Sequence, residues 1–209
     1  MNKFKIAVIC ELNRFDYPVD VSFQLTRKAY ELVKDFDDTE VQVVITGKRM
    51  EYDNIINDFS LCGADKVIIV NDSLLEEYSP NLYTKAISET LKREMPNVVL
   101  FGATITGREL APLVASELQT GLTADCTDLF INENMQLEAT RPTYGGKMNA
   151  VILCKTLPQM ATVRPDVFKL PEDKIYKDTH LITELSNFLK TKKLPVDISV
   201  FRGERHVGI

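Results

Sequence analysis

Short unbroken apolar runs alternate, along the first part of the chain, with longer stretches whose apolar residues recur every three or four positions. The unbroken runs "FKIAVIC", "VQVVIT", "DKVIIV" and "NVVLFG" read as strands buried on both faces, because a half-exposed strand would alternate apolar with polar. Between them, "VSFQLTRKAYELVKDF" sets Leu25, Ala29, Leu32, Val33 and Phe36 along one side of a helix. "YDNIINDFSLCGA" predicts a second helix closed by Gly63. "YSPNLYTKAISETLKREMP" predicts a third, with Ser79 as N-cap, Pro80 at the first helical position and Pro96 as the stop. A fourth is predicted over "RELAPLVASELQ", with Pro112 near its first turn and Gly121 just past its end, supplying a positive φ.

From Thr123 the texture changes. "DCTDLFIN", "MQLEATRPTY", "NAVILCK" and "QMATVR" are strand-like runs separated by polar and Gly-Gly turns, with no helical period between them. The pattern predicts an α/β fold: a mostly parallel, doubly wound sheet continued by an antiparallel β extension. In such sheets ligands gather at the carboxyl ends of the strands, at the point where strand order reverses. Beyond "RPDVFKLPEDKIYKD", the stretch "HLITELSNFLK" places Leu181, Ile182, Leu185, Phe188 and Leu189 at helical spacing and predicts a helical tail. The expected division is one domain over 1–170 and a linker with a helical tail over 171–209.

Composition narrows the function classes. The 209 residues carry 25 Lys and Arg against 30 Asp and Glu, a formal net charge of −5. No basic block appears, which argues against a nucleic-acid groove. The opening apolar run is too short for a signal-peptide core or a membrane span. Cys10, Cys62, Cys126 and Cys154 are scattered among apolar neighbours without a Cys-x-x-Cys pair and read as reduced thiols, so a cytoplasmic or comparably reducing location is expected. With His180 and His206 as the only histidines, a zinc site or a His-based triad lacks raw material, and no catalytic residues are expected.

The junction "FGATITGREL" is the candidate site. It runs from the end of a buried strand into a helix start, where free N–H groups and the helix dipole favour an anion. Backbone groups around Gly102, Thr104 and Gly107, with Arg108, could cradle a phosphate, helped by the strand end at Cys10 and Glu11. The spacing is neither a P-loop nor GxGxxG. In the competing reading, the two glycines make a tight turn and Arg108 pairs with a carboxylate. Asp125 needs a cation or several donors, and Arg108 and Arg141 are the candidates. Arg141-Pro142 and Arg164-Pro165 predict strand ends, with each arginine facing either a partner or the chain itself.

The ordered landmarks "GRELAP", "TGLTADC", "TRPTYGG" and "PQMATVRP" resemble the N-terminal domain of the electron-transfer flavoprotein alpha subunit. The likeness runs over roughly the first 170 residues and is weaker before Leu61. It implies a Rossmann-like fold akin to the adenine-nucleotide alpha-hydrolase group. It also implies a beta-subunit partner, and electrons that pass from acyl-CoA or other dehydrogenases through FAD to a quinone-linked acceptor. The family's flavin domain should begin where this sequence ends, so no FAD is expected on this chain alone. The expected function is therefore scaffold and docking surface for the beta subunit. The alternative is a stand-alone adenine-nucleotide-binding module using the FGATITGR crevice.

Overall fold

The structure is a computed structural model that describes residues 3–47, 52–170, 175 and 180–184, the last five by their backbone. Strands β1 (Phe4–Cys10), β2 (Thr39–Gly47), β3 (Lys66–Asn71) and β4 (Val98–Gly102) are separated by helices α1 (Asp20–Val33), α2 (Asp53–Leu61) and α3 (Pro80–Glu94). Helix α4 (Ile105–Glu117) follows, then β5 (Leu122–Cys126), β6 (Asp128–Ile131), β7 (Leu137–Thr143), β8 (Met148–Leu153), β9 (Gln159–Val163) and β10 (His180–Glu184). Seven strands form one parallel sheet in the order β10-β3-β2-β1-β4-β9-β5. Strands β6, β7 and β8 make a separate antiparallel sheet.

The predicted α/β class and the antiparallel β region are both present. Two details differ. The antiparallel strands form a sheet of their own, and "QMATV" is a parallel strand inserted between β4 and β5. Strands β1 to β4 and β9 of the large sheet are buried on both faces. Ile6, Val8, Leu100 and Ala161 meet α1 residues Val21, Leu25 and Ala29 on one side. Ala7, Ile9, Val99 and Phe101 meet α3 and α4 residues Ile87, Leu91, Leu110 and Val114 on the other. Strand residues of one parity thus face one helical layer and those of the other parity the second, which is why these runs carry no polar alternation. The small sheet alternates. Leu129, Ile131, Leu137 and Ala139 turn inward onto the α1 layer, while Phe130, Val151 and Leu153 face outward.

Several local expectations need correcting. Phe36 lies past the end of α1 and is 39% exposed, whereas Leu25, Ala29, Leu32 and Val33 are buried as predicted. Helix α4 begins at Ile105, so Pro112 stands well inside it rather than near its first turn. The left-handed residue after α4 is Gln119 (φ 54°), not Gly121. Gly121 is required for space, because a Cβ there would meet Cys154 Sγ at 2.8 Å. Pro142 does not end its strand; β7 runs on to Thr143, and Pro142 falls where β8 still pairs but β6 has stopped. Residues 180–184 of the expected helical tail form a strand that pairs with β3, and Leu185, Phe188 and Leu189 lie outside the described residues. Among the described residues, no helix is long and apolar enough to cross a membrane.

Candidate functional site

Strand order reverses between β1 and β4, since the first crossover carries the chain to β2 on one side and the later one returns it to β4 on the other. The carboxyl ends of these two strands open a cleft of about 230 Å³, lined by Ile9, Glu11, Thr46, Tyr78, Phe101 and Leu110 among others. Helix α4 starts at its edge. Thr104 is the N-cap, and its hydroxyl accepts a hydrogen bond from Gly107 N at 2.9 Å. The same hydroxyl donates to the Glu11 carboxylate. Glu11 is itself pinned, its N–H donating to Ser22 Oγ at 3.1 Å and its carbonyl accepting from Val19 N at 3.0 Å. A carboxylate of the chain therefore stands where the helix dipole would attract an external anion.

The two glycines of this junction serve close approach rather than turning. A Cβ on Gly107 would lie 1.9 Å from the Gly102 carbonyl oxygen, and one on Gly102 would lie 2.6 Å from Val21 Cγ1. Only bare backbone lets α1 and α4 sit this tightly on the end of β4. On the rim, the Tyr78 hydroxyl donates to Glu109 Oε2 at 2.6 Å, and burial together with that carboxylate raises the phenol well above its ordinary value. Burial pushes the Cys10 thiol to about 12, so it stands as a neutral thiol.

Arg108 points away from the cleft to a second cluster, at the carboxyl ends of β5 and β9. Strand β5 bulges between Thr123 and Cys126, and Asp125 occupies the bulge at φ 65°. Its N–H donates to Thr162 Oγ1 at 2.8 Å. The carboxylate accepts from Arg164 Nε and Nη2 at 3.0 and 2.7 Å and from Arg108 Nη2 at 3.1 Å. Arg164 first, and Arg108 second, hold the Asp125 carboxyl below the usual carboxylate range. The expected pairing of Asp125 with Arg108 is thus present, but Arg141 is not part of the cluster. Arg141 lies on β7 opposite Ala150, with its Nε buried and without a hydrogen-bond partner among the described residues. Arg164, read from sequence as facing either a partner or the chain, donates both Nε and Nη2 to one oxygen, Asp125 Oδ2, within the chain.

Gly102, Thr104 and Gly107 are therefore brought together at the cleft, while Arg108, Asp125 and Arg164 gather beside it. Sequence reading placed Glu11 near the crevice but missed its bond to Thr104. Nothing short of the fold brings two residues so far apart in the chain into contact. Among the described residues, no group of three or more His, Cys, Asp or Glu side chains is arranged to hold a metal ion. Cys10, Cys62 and Cys126 are buried free thiols, as expected, and Cys154 is half-buried.

Residues 16–185 match the family described as "Electron transfer flavoprotein domain". The "Electron transfer flavoprotein subunit alpha" of Thermoanaerobacterium thermosaccharolyticum is 44% identical over 170 residues, which cover 81% of this chain and 51% of that protein. The protein of the same name from Clostridium acetobutylicum is 38% identical over 208 residues, covering 90% of this chain and 61% of the relative. "Protein FixB" of Clostridium saccharobutylicum is 41% identical over 170 residues, covering 73% of this chain and 51% of the relative. The chain thus spans about half the length of the curated relatives it matches.

Proposed function

Because this chain belongs to the electron transfer flavoprotein domain family, we propose that it acts as the N-terminal domain of an alpha subunit, a scaffold that docks a beta subunit in FAD-mediated electron transfer. The observation that carries this reading is the family match across residues 16–185, joined to relatives whose own name is "subunit alpha". A subunit implies at least one partner, and the proposed partner is the beta subunit. Dehydrogenases as donors and a quinone-linked acceptor complete the proposed path.

The residues at the α4 crevice do not fit FAD. The anion position at the helix start holds Glu11, and Gly107 N is already given to Thr104. The cleft of about 230 Å³ is also smaller than the roughly 300–1,000 Å³ of ordinary small-molecule pockets. We accordingly assign the flavin to other parts of the assembly and route no electron through this crevice. The same carboxylate argues against the alternative of a stand-alone adenine-nucleotide module, since a phosphate entering the crevice would meet Glu11 first.

Coexpression with the beta subunit from the same genome tests the proposal. Recovery of a stoichiometric complex on a tag carried by this chain is the expected result. Purified chain that alone retains one flavin per polypeptide after dialysis would overturn the assignment of FAD. Calorimetric titration with AMP should give no heat of binding; micromolar binding abolished by Arg108→Ala would instead establish the nucleotide module.

A further inference from the structure

The cleft at the ends of β1 and β4 has no part in the subunit reading, and its chemistry is one-sided. Most of its lining is apolar, Ile9, Val21, Phe101 and Leu110 included. Among the residues that line it, Glu11 is the one ionised side chain, and none is Lys, Arg or His. Arg108, the cation of the adjoining junction, is turned to Asp125 instead. Glu11 Oε2 accepts from Thr104, while Oε1 accepts no hydrogen bond among the described residues. A helix start carries only about half a positive charge, so a full carboxylate beside it leaves the cleft with a net negative field.

Two further features point the same way. Thr46, near the end of β2, lines the cleft and is 4% exposed, and its Oγ1 has no hydrogen-bond partner among the described residues. Buried hydroxyls are nearly always bonded, and leaving one unpaired opposes folding. One strand over, Asp72 follows β3 with Oδ2 likewise buried and without a partner among the described residues. Carboxylate oxygens only accept, so the group missing from this end of the sheet is a donor. Tyr78 and Tyr83 also line the cleft, their rings edge to face with centroids 5.1 Å apart. Their hydroxyls are already given to Glu109 and to the Leu75 carbonyl. What they offer a ligand is the negative face of a ring, and such faces attract organic ammonium ions.

We propose that this cleft binds a small organic ammonium ion. Its N–H groups donate to Glu11 and Thr46 beside the two tyrosine rings, and a short apolar body lies against Ile9, Phe101 and Leu110. The volume of about 230 Å³ limits that body to a single ring or a short chain. A bare metal ion is a poor occupant: the walls are apolar, and among the described residues no group of three or more His, Cys, Asp or Glu side chains is arranged to hold one. An anion is opposed by Glu11. The inference does not depend on the subunit reading.

Calorimetric titration of the full chain with benzylammonium chloride tests the site, with benzyl alcohol as the neutral counterpart and AMP as the anion. Benzylammonium should bind with a Kd below about 1 mM, as a ligand of this size allows, and benzyl alcohol at least about tenfold more weakly. Glu11→Gln keeps an oxygen for Thr104 and should weaken benzylammonium by about tenfold or more; Thr46→Val should weaken it by about threefold or more. Because Thr46→Val also removes an unpaired buried hydroxyl, its melting temperature should hold or rise, which separates lost binding from lost folding. No heat from benzylammonium at about 10 mM overturns the site. Equal binding of benzyl alcohol overturns the charge selection, and AMP bound more tightly than benzylammonium returns the cleft to an anion. Unaltered binding by both Glu11→Gln and Thr46→Val places the ammonium elsewhere, and the proposal falls.

Discussion

The large parallel sheet and the small antiparallel sheet both carry apolar residues on two faces, yet only the first, through β1 to β4 and β9, buries them on both. In the large sheet, Ile6, Val8, Leu100 and Ala161 face one helical layer, and Ala7, Ile9, Val99 and Phe101 face the other. In the small one, Leu129, Ile131, Leu137 and Ala139 join the core while Phe130, Val151 and Leu153 stand in solvent. Burial on both faces stabilises the chain itself; burial on one face leaves apolar surface available to another chain. The contrast assigns folding to the first sheet and to the inner half of the second, and leaves the outer half in solvent.

Core truncation should have the largest effect and bears on both sheets. Leu100→Ala and Leu129→Ala each remove a fully enclosed side chain and should cost about 2–5 kcal/mol in urea-induced unfolding. A cost at Leu129 below about 0.5 kcal/mol would mean that the inner half of the small sheet contributes nothing to folding and would break the comparison. Next, Gly107→Ala forces a Cβ against the Gly102 carbonyl oxygen, 1.9 Å away in the present geometry. The α4 start must shift, and a loss of about 1–3 kcal/mol is expected. An unchanged midpoint would show that α4 does not sit on β4 as described.

Smaller effects follow at the Asp125 cluster, on the carboxyl edge of the large sheet. Asp125→Asn keeps a residue that tolerates the left-handed bulge and removes only the charge shared by Arg164 and Arg108. Because these pairs face solvent, the loss at neutral pH should stay below about 1 kcal/mol. The Asp125 carboxyl titrates below its unfolded value. Its contribution is therefore complete above about pH 4 and disappears as pH falls through the lower folded value. Stability curves of the two proteins should run parallel from pH 7 to about pH 4 and converge below it; convergence at higher pH would contradict the ion pairs. The smallest effect belongs to the outer half of the small sheet. Val151→Ser should change the stability of the isolated chain by no more than about 0.5 kcal/mol, and a loss of 2 kcal/mol or more would return that face to the fold.

Most of the α/β rhythm was legible because burial on both faces leaves unbroken apolar runs, and helix stops such as Gly63 (φ 98°) carry their own residue signature. The start of α4 was read late because Gly107 looks like loop, whereas it is helical and capped by Thr104. "DCTDLF" reads as one run but is two strands in different sheets, divided just after the Asp125 bulge. "HLITE" matches a helical period as well as a strand, and pairing with β3 decided it. In the site, Arg108 and Asp125 were legible as complementary charges, but the choice of Arg164 over Arg141 was not. Both arginines precede a proline, and only the adjacency of β9 and β5 brings the right one within reach.

By itself, the sequence determined which segments up to α4 are strands buried on both faces and which are amphipathic helices, and the family to which the ordered landmarks belong, because periodicity and residue type are local properties of the chain. Tertiary structure alone decided that β9 enters between β4 and β5, that Glu11 closes the helix start at Thr104, and which face of the small sheet is left bare. Each of these depends on contacts between residues distant in sequence, where many pairings satisfy the same local pattern and the packed core selects among them.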